Sequence, residues 1–120
     1  MFALYLIKMT YTKANSFLTE QQDIAKLAKA LSHPARIAIL QHLAKTKTCI
    51  SGDIAQELPL SRTTVSQHLQ ELKNAGLIKG QVEGLTVCYC IDYEVFAKAK
   101  SVIENFFNSI ASDQTEYTCC

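Results

Sequence analysis

Pro59 and Gly76 bracket a run, LSRTTVSQHLQELKNA, that suits one helix and little else. Proline has no amide to give to a helix, so it stops whatever precedes it. Ser61 is a good N-cap, and Val65, Leu69 and Leu72 then recur at i, i+4 and i+7, an apolar stripe down one side. Gly76 can take the left-handed conformation that closes a helix. Immediately afterwards the period changes to two: LIKGQ and LTVCYCI are strand-like runs joined by VEG, with Gly84 at the turn. In the second run Val87, Tyr89 and Ile91 share one face, and Thr86, Cys88 and Cys90 the other. A capped helix followed at once by a hairpin leaves few architectures open.

The rest of the chain reads as helices around this unit. Ile24, Leu27, Ala28 and Leu31 make the apolar stripe of a first helix within 17–31. SHP interrupts it; Ser32 or His33 can cap, and Pro34 suits a first helical turn. A second helix follows, with Ile37, Leu40 and Leu43 expected inward. A short third helix is expected over about 51–58, burying Ile54, Ala55 and Leu58. The capped helix after Pro59 is then the fourth. From Tyr93 the helical period returns, and Phe96, Ala99, Ile103, Phe106 and Ile110 form a 3-4-3-4 seam, the pattern of a helix that packs on another helix. The expected organisation is an N-terminal extension (1–16), a domain over 17–111 and a C-terminal tail (112–120) that ends in a cysteine pair.

Charge is unevenly placed rather than large. Net charge is only +1, yet residues 26–48 carry Lys26, Lys29, Arg36, Lys45 and Lys47 and no acid, while five acids stand against Lys98 and Lys100 from Asp92 onward. That asymmetry permits a basic face. The apolar start, MFALYLIKM, is too short to span a bilayer and lacks a signal peptide's basic flank and cleavage site, and either Met1 or Met9 suits a native start. Five irregularly spaced cysteines do not make a secreted disulfide framework. The expectation is a cytoplasmic protein with no membrane partner. With no glycine-rich phosphate loop, paired-acid constellation or nucleophile motif, an enzyme is not expected.

Two short helices joined by a tight turn, a glycine-ended second helix and a hairpin make a winged helix-turn-helix, mainly α with a β-hairpin wing. The capped helix buries Val65, Leu69 and Leu72 and turns the other way Ser61, Arg62, Thr63, Ser66, Gln67 and Lys73, with Thr64 and His68 near its edge. Hydroxyls, amides and guanidinium groups can read base edges in a major groove, and Lys73, Lys79 and the lysines at 45 and 47 can neutralise phosphates. A helix polar on its outside for this reason implies double-stranded DNA as partner. The other reading of the same face is a protein-interaction module.

LSHPARIAILQHLAK, ISGDIAQELPLSRTTVSQHLQELKNAGLIKGQVEG and VCYCI together resemble the ArsR (SmtB/ArsR) family of metal-responsive repressors, over roughly residues 20–110. The resemblance implies a homodimer joined through its first and last helices, bound to palindromic operator DNA and released by an inducer. The seam from Phe96 to Ile110 agrees with a dimer surface on its own account. One departure is the wing tip, which reads Glu83, Gly84, Leu85 where the family often has a basic residue; a wing contact to DNA then rests on Lys79 and Gln81, or the wing serves packing.

The resemblance also offers ligand sets for the inducer. In the family's thiol site of the third helix, Ser51 and Gly52 stand here near Cys49 where thiols are needed; in the last-helix zinc or nickel site Asp92 is present, but Glu94, Asn105 and Asn108 replace the other ligands. What remains is Cys119 and Cys120, adjacent at the tail, and Cys88 and Cys90, about 7 Å apart on one strand face. The tail pair plus one further cysteine resembles family members whose arsenic site follows the last helix. Soft thiolates select As(III) or another thiophilic metal ion. A dithiol redox switch, or no thiol role at all, are the alternatives. His33, His42 and His68 read as local hydrogen-bonding residues.

Overall fold

The computed structural model describes residues 16–46, 54 and 58–112. The chain there runs α1 (Thr19–Ala30), α2 (Pro34–Thr46), α3 (Arg62–Asn74), β1 (Ile78–Glu83), β2 (Thr86–Ile91) and α4 (Tyr93–Ser112). Of the expected helix over 51–58 only Ile54 and Leu58 are described, both on the core as expected; the rest of that segment, Lys47, Cys49 and most of the N-terminal extension and C-terminal tail, with Cys119 and Cys120, lie outside the described residues.

The boundaries follow local chemistry. His33 caps α2: its Nδ1 accepts from the Ala35 amide at 3.0 Å. Ser61 caps α3, its Oγ accepting from the Thr64 amide at 3.3 Å, which satisfies a donor that the helix start leaves orphaned. At the other end Gly76 adopts φ +82°, and Leu77 N donates back to the Leu72 carbonyl at 3.1 Å while Gly76 N donates to that of Lys73 at 2.9 Å. This closure sends the chain directly into the hairpin. Asp92 starts α4, its Oδ1 accepting from the Val95 amide at 3.2 Å.

β1 and β2 pair antiparallel from Ile78 opposite Ile91 to Glu83 opposite Thr86. Only Gly84 and Leu85 remain for the turn, and Gly84 takes φ +62°. Leu85, expected inside a strand run, therefore sits at the tip and is fully exposed. The hairpin base is not: Ile78, Ile91 and Cys88 are buried, and Tyr89 packs on the core.

The core gathers Ala30, Ile39, Leu40, Leu43, Ile54, Val65, Leu69, Leu72, Leu77, Ile78 and Ile91. Residues from α2, α3 and the hairpin base dominate it. Two details differ from expectation. In α2 the inward positions are Ala35, Ile39, Leu40 and Leu43, whereas Ile37 is exposed; the buried line advances by four residues from Ala35, not by three from Ile37. In α1 only Ala30 is buried, while Ile24, Leu27 and Leu31 are half-covered and Ala28 is exposed.

α4 contributes no fully buried side chain. Phe96, Ala99, Ile103 and Phe106 of its seam are half-covered, and Phe107 and Ile110 are exposed. No helix among the described residues is long and apolar enough to cross a membrane.

Candidate nucleic-acid interface

Val65, Leu69 and Leu72 seat α3. Burying each is worth about 1.5–3 kcal/mol relative to exposure, so the stripe keeps the helix docked on α2 and the hairpin base. Leu58 and Leu60, on the approach to the helix, pack against the same core.

The seated stripe fixes what the opposite side offers. Arg62, Thr63, Ser66, Gln67 and Lys73 are exposed, as expected from the sequence, and so is Lys79 at the hairpin base. Ser61 is exposed but occupied: besides its cap bond, its hydroxyl lies 2.9 Å from the Thr64 hydroxyl, and Thr64 is half-buried. These two serve the helix start before anything else. Lys73 Nζ would lie 3.4 Å from a Cβ placed on Gly80, so its ammonium rests over the first strand of the hairpin, where α3 meets the wing.

Two residues change the expected site. Gln70 is exposed and falls on the same side as Thr63, Ser66 and Gln67, at offsets of seven, four and three. Its Nε2 donates to Asn74 Oδ1 at 3.0 Å. The offset alone could have found it.

His68 is the correction. The sequence pattern puts it at the edge of the outer face of α3, but it is 8% exposed and turned inward. Its Nδ1 accepts a hydrogen bond from Arg36 Nε at 3.1 Å, and its ring lies 4.3 Å from that of His33. It offers no atom to a base edge. Burial, reinforced by the nearby His33 and Arg36, holds its pKa below the ordinary histidine value, with Glu71 pulling the other way. The three histidines were expected to bond locally. His33 does, but it is also brought against His68, and His68 finds a partner thirty-two residues away.

Of the candidate thiols, Cys88 is buried and Cys90 half-buried. Among the described residues no three His, Cys, Asp or Glu side chains converge as a metal would need.

A helix held by one apolar stripe, polar on its free side, braced by a preceding helix and followed by a hairpin defines a winged helix-turn-helix protein. Residues 31–81 match the helix-turn-helix domain family model. The cadmium resistance transcriptional regulatory protein CadC homolog of Staphylococcus aureus is 33% identical over 105 residues, covering 86% of this chain and 84% of that protein. A crystal structure of a possible transcriptional regulator for arsenical resistance superposes with TM-score 0.60 at 27% identity, over 73% of this chain and 95% of the other. The homodimeric winged helix-turn-helix DNA-binding domain of a possible ArsR-family regulator from Mycobacterium bovis gives TM-score 0.58 at 27% identity, over 92% and 94%. The chain belongs to the ArsR (SmtB/ArsR) family of winged helix-turn-helix transcriptional regulators, DNA-binding proteins that are not enzymes.

Proposed function

We propose that this protein is a cytoplasmic repressor that binds operator DNA as a homodimer, with residues 17–111 as its DNA-binding and dimerisation domain. The observation that carries this reading is the outward face of α3: Arg62, Thr63, Ser66, Gln67 and Gln70 lie opposite a buried stripe of Val65, Leu69 and Leu72. In a major groove Arg62 can bond bidentately to guanine, and Gln67 or Gln70 to adenine. Lys73 and Lys79 flank that face and suit phosphates.

Dimerisation is supported by the apolar surface on α1 and α4. A groove lined by Leu18, Ile24, Ala25 and Phe106 opens between them, and Phe107 and Ile110 stand exposed beside it. A second subunit meeting this surface gives a twofold pair, so each operator half-site would lie about 34 Å from the other, one helical turn. A relative that is homodimeric and of the same fold supports the same arrangement.

The inducer reading concerns thiols. Among the described residues the donors do not fit a trigonal thiolate site: Cys88 is taken up by packing and the Asp92 carboxylate caps α4. An As(III) or other thiophilic ion would therefore need Cys119 and Cys120, with Cys90, less buried than Cys88, as the third thiol. The names of relatives concerned with cadmium and arsenical resistance support a soft-metal inducer.

The test is a gel shift on the protein's own upstream DNA at several salt concentrations. Sequence-specific binding with a steep negative salt slope is expected; a slope near zero would point to a protein partner instead. Release is then measured with As(III), Sb(III), Cd, Zn, Cu(I) and an oxidant, before and after changing Cys119 and Cys120 to Ser. Release that survives the double change removes the tail thiols from the mechanism, and release by oxidant alone makes them a redox switch.

A further inference from the structure

One side chain joins three helices behind the reading face. Arg36, in the first turn of α2, donates from Nε to His68 Nδ1 on α3 at 3.1 Å. Its Nη1 donates to the Lys29 and Ala30 carbonyls, 3.3 and 3.2 Å away, at the C-terminal end of α1. His33 closes the cluster. Its ring lies 4.3 Å from the His68 ring at 44°, and it is itself pinned by the Ala35 amide. The apolar packing that seats α3 is non-directional, and a helix seated by Val65, Leu69 and Leu72 can still roll or tilt on that stripe. A hydrogen bond to a rigid guanidinium fork has a preferred angle as well as a length.

We propose that Arg36 is a positioning residue for DNA readout: through His68 it sets the angle of α3 against α1 and α2. Losing the link weakens recognition of a chosen sequence more than attachment to DNA in general. This rests on α3 being the reading helix. It also gives α1, on the proposed dimer surface, a direct polar connection to that helix.

The link needs a neutral imidazole. Nδ1 accepts, so the ring proton sits on Nε2, a buried atom with no hydrogen-bond partner among the described residues. A second proton could only go to Nδ1, where it would face the guanidinium. Burial opposes that charge most, His33 and Arg36 oppose it too, and only Glu71, on α3 itself, favours it; the balance holds the ring below the ordinary histidine value. Acid then breaks the link without any substitution.

The wild-type protein first selects duplexes from a random-sequence library. Fluorescence anisotropy then compares a selected duplex with a scrambled one at pH 7.5, 6.5 and 5.5 and at several salt concentrations. Arg36→Met keeps the stem and removes the donors; His68→Leu removes the acceptor; His68→Asn keeps an acceptor that does not titrate. Arg36→Met and His68→Leu should lose about tenfold or more in affinity for the selected duplex, the share of a hydrogen bond from a charged group, with scrambled-duplex affinity and salt slope unchanged. His68→Asn should restore selective binding at pH 7.5. As pH falls the wild type should lose selectivity once the folded His68 ring titrates, below the ordinary histidine value, and His68→Asn should lose less. Equal weakening on both duplexes, accompanied by melting near the assay temperature, would assign Arg36 to stability alone. A salt slope shallower by about one would place it on a phosphate. Either result overturns the proposal, as does full selectivity at pH 7.5 in a folded Arg36→Met or His68→Leu. If the wild type selects no sequence, the DNA-reading function fails and takes this inference with it.

Discussion

Leu72→Ala tests the seat of α3. Leu72 is 0% exposed and lies among α2, α3 and the hairpin base. The change deletes three carbons, about 2.4 kcal/mol at about 0.8 kcal/mol for each buried methylene-sized group. The void adds to this. Ile39, Val65 and Leu77 are each exposed by 2% or less, and side chains fixed on α2, on α3 and in the link to β1 cannot all close inward. About 1–2 kcal/mol more is expected for the cavity, so the total is about 3–5 kcal/mol. Against a typical stability of about 5–15 kcal/mol, that is a large part of the whole. Urea unfolding followed by circular dichroism measures it, with a midpoint at least about 1 M lower for a slope of about 1–3 kcal/mol/M. Leu85→Ala is the control: Leu85 is 107% exposed at the hairpin tip, and its midpoint should hardly move. A loss below about 1 kcal/mol for Leu72→Ala would mean that α3 is not seated by this stripe, and the assignment of its outer face would go with it.

Arg62→Ala should cost about 1–3 kcal/mol on the selected sequence and little on a scrambled one, by anisotropy; equal loss on both would make Arg62 a phosphate contact. Phe106→Asp, on the groove beside α1, should give a monomer by sedimentation and weaken operator binding; a variant that stays dimeric excludes this face as the interface. Stability should fall as pH drops through 6.5, because the unfolded His68 takes up a proton there while the folded one, held below that value, does not. The fall levels off once the folded ring also titrates. Thermal unfolding across pH 7.5 to 5.0 should show a smaller decline for His68→Asn, and identical curves would refute the assignment.

Much of this architecture was legible from local rules. Ser61, Gly76 and the 65–69–72 stripe determine where α3 starts, which way it faces and where it ends, and each acts within a few residues. Gly84 marks the turn for the same reason. The misreadings come from tertiary context. Ile37 and Ile39 are equally apolar, and only the packing of α2 against α3 and the hairpin decides which is buried. Leu85 looks like a strand residue until the register Glu83 opposite Thr86 leaves it in the turn. His68 is polar and follows a run of polar residues, so it reads as part of the outer face. No period in the chain announces that Arg36 will reach it. A bond across thirty-two positions is a property of how three helices meet, and the sequence pattern of each helix alone is silent about it.

The last helix carries a further implication. Twenty residues long, α4 leans on its own core only at its start, through Val95, Phe96 and Ala99, and its later turns have little reason to stay wound on a solitary subunit. If its shelter comes from a second copy, folding and pairing share one free energy, and the melting temperature should climb with protein concentration. Dilution would then disarm the molecule in a single step, fraying the strut that spaces the two reading heads as the heads part. A cell could set the repression threshold through abundance alone, with a response steeper than first order in dose.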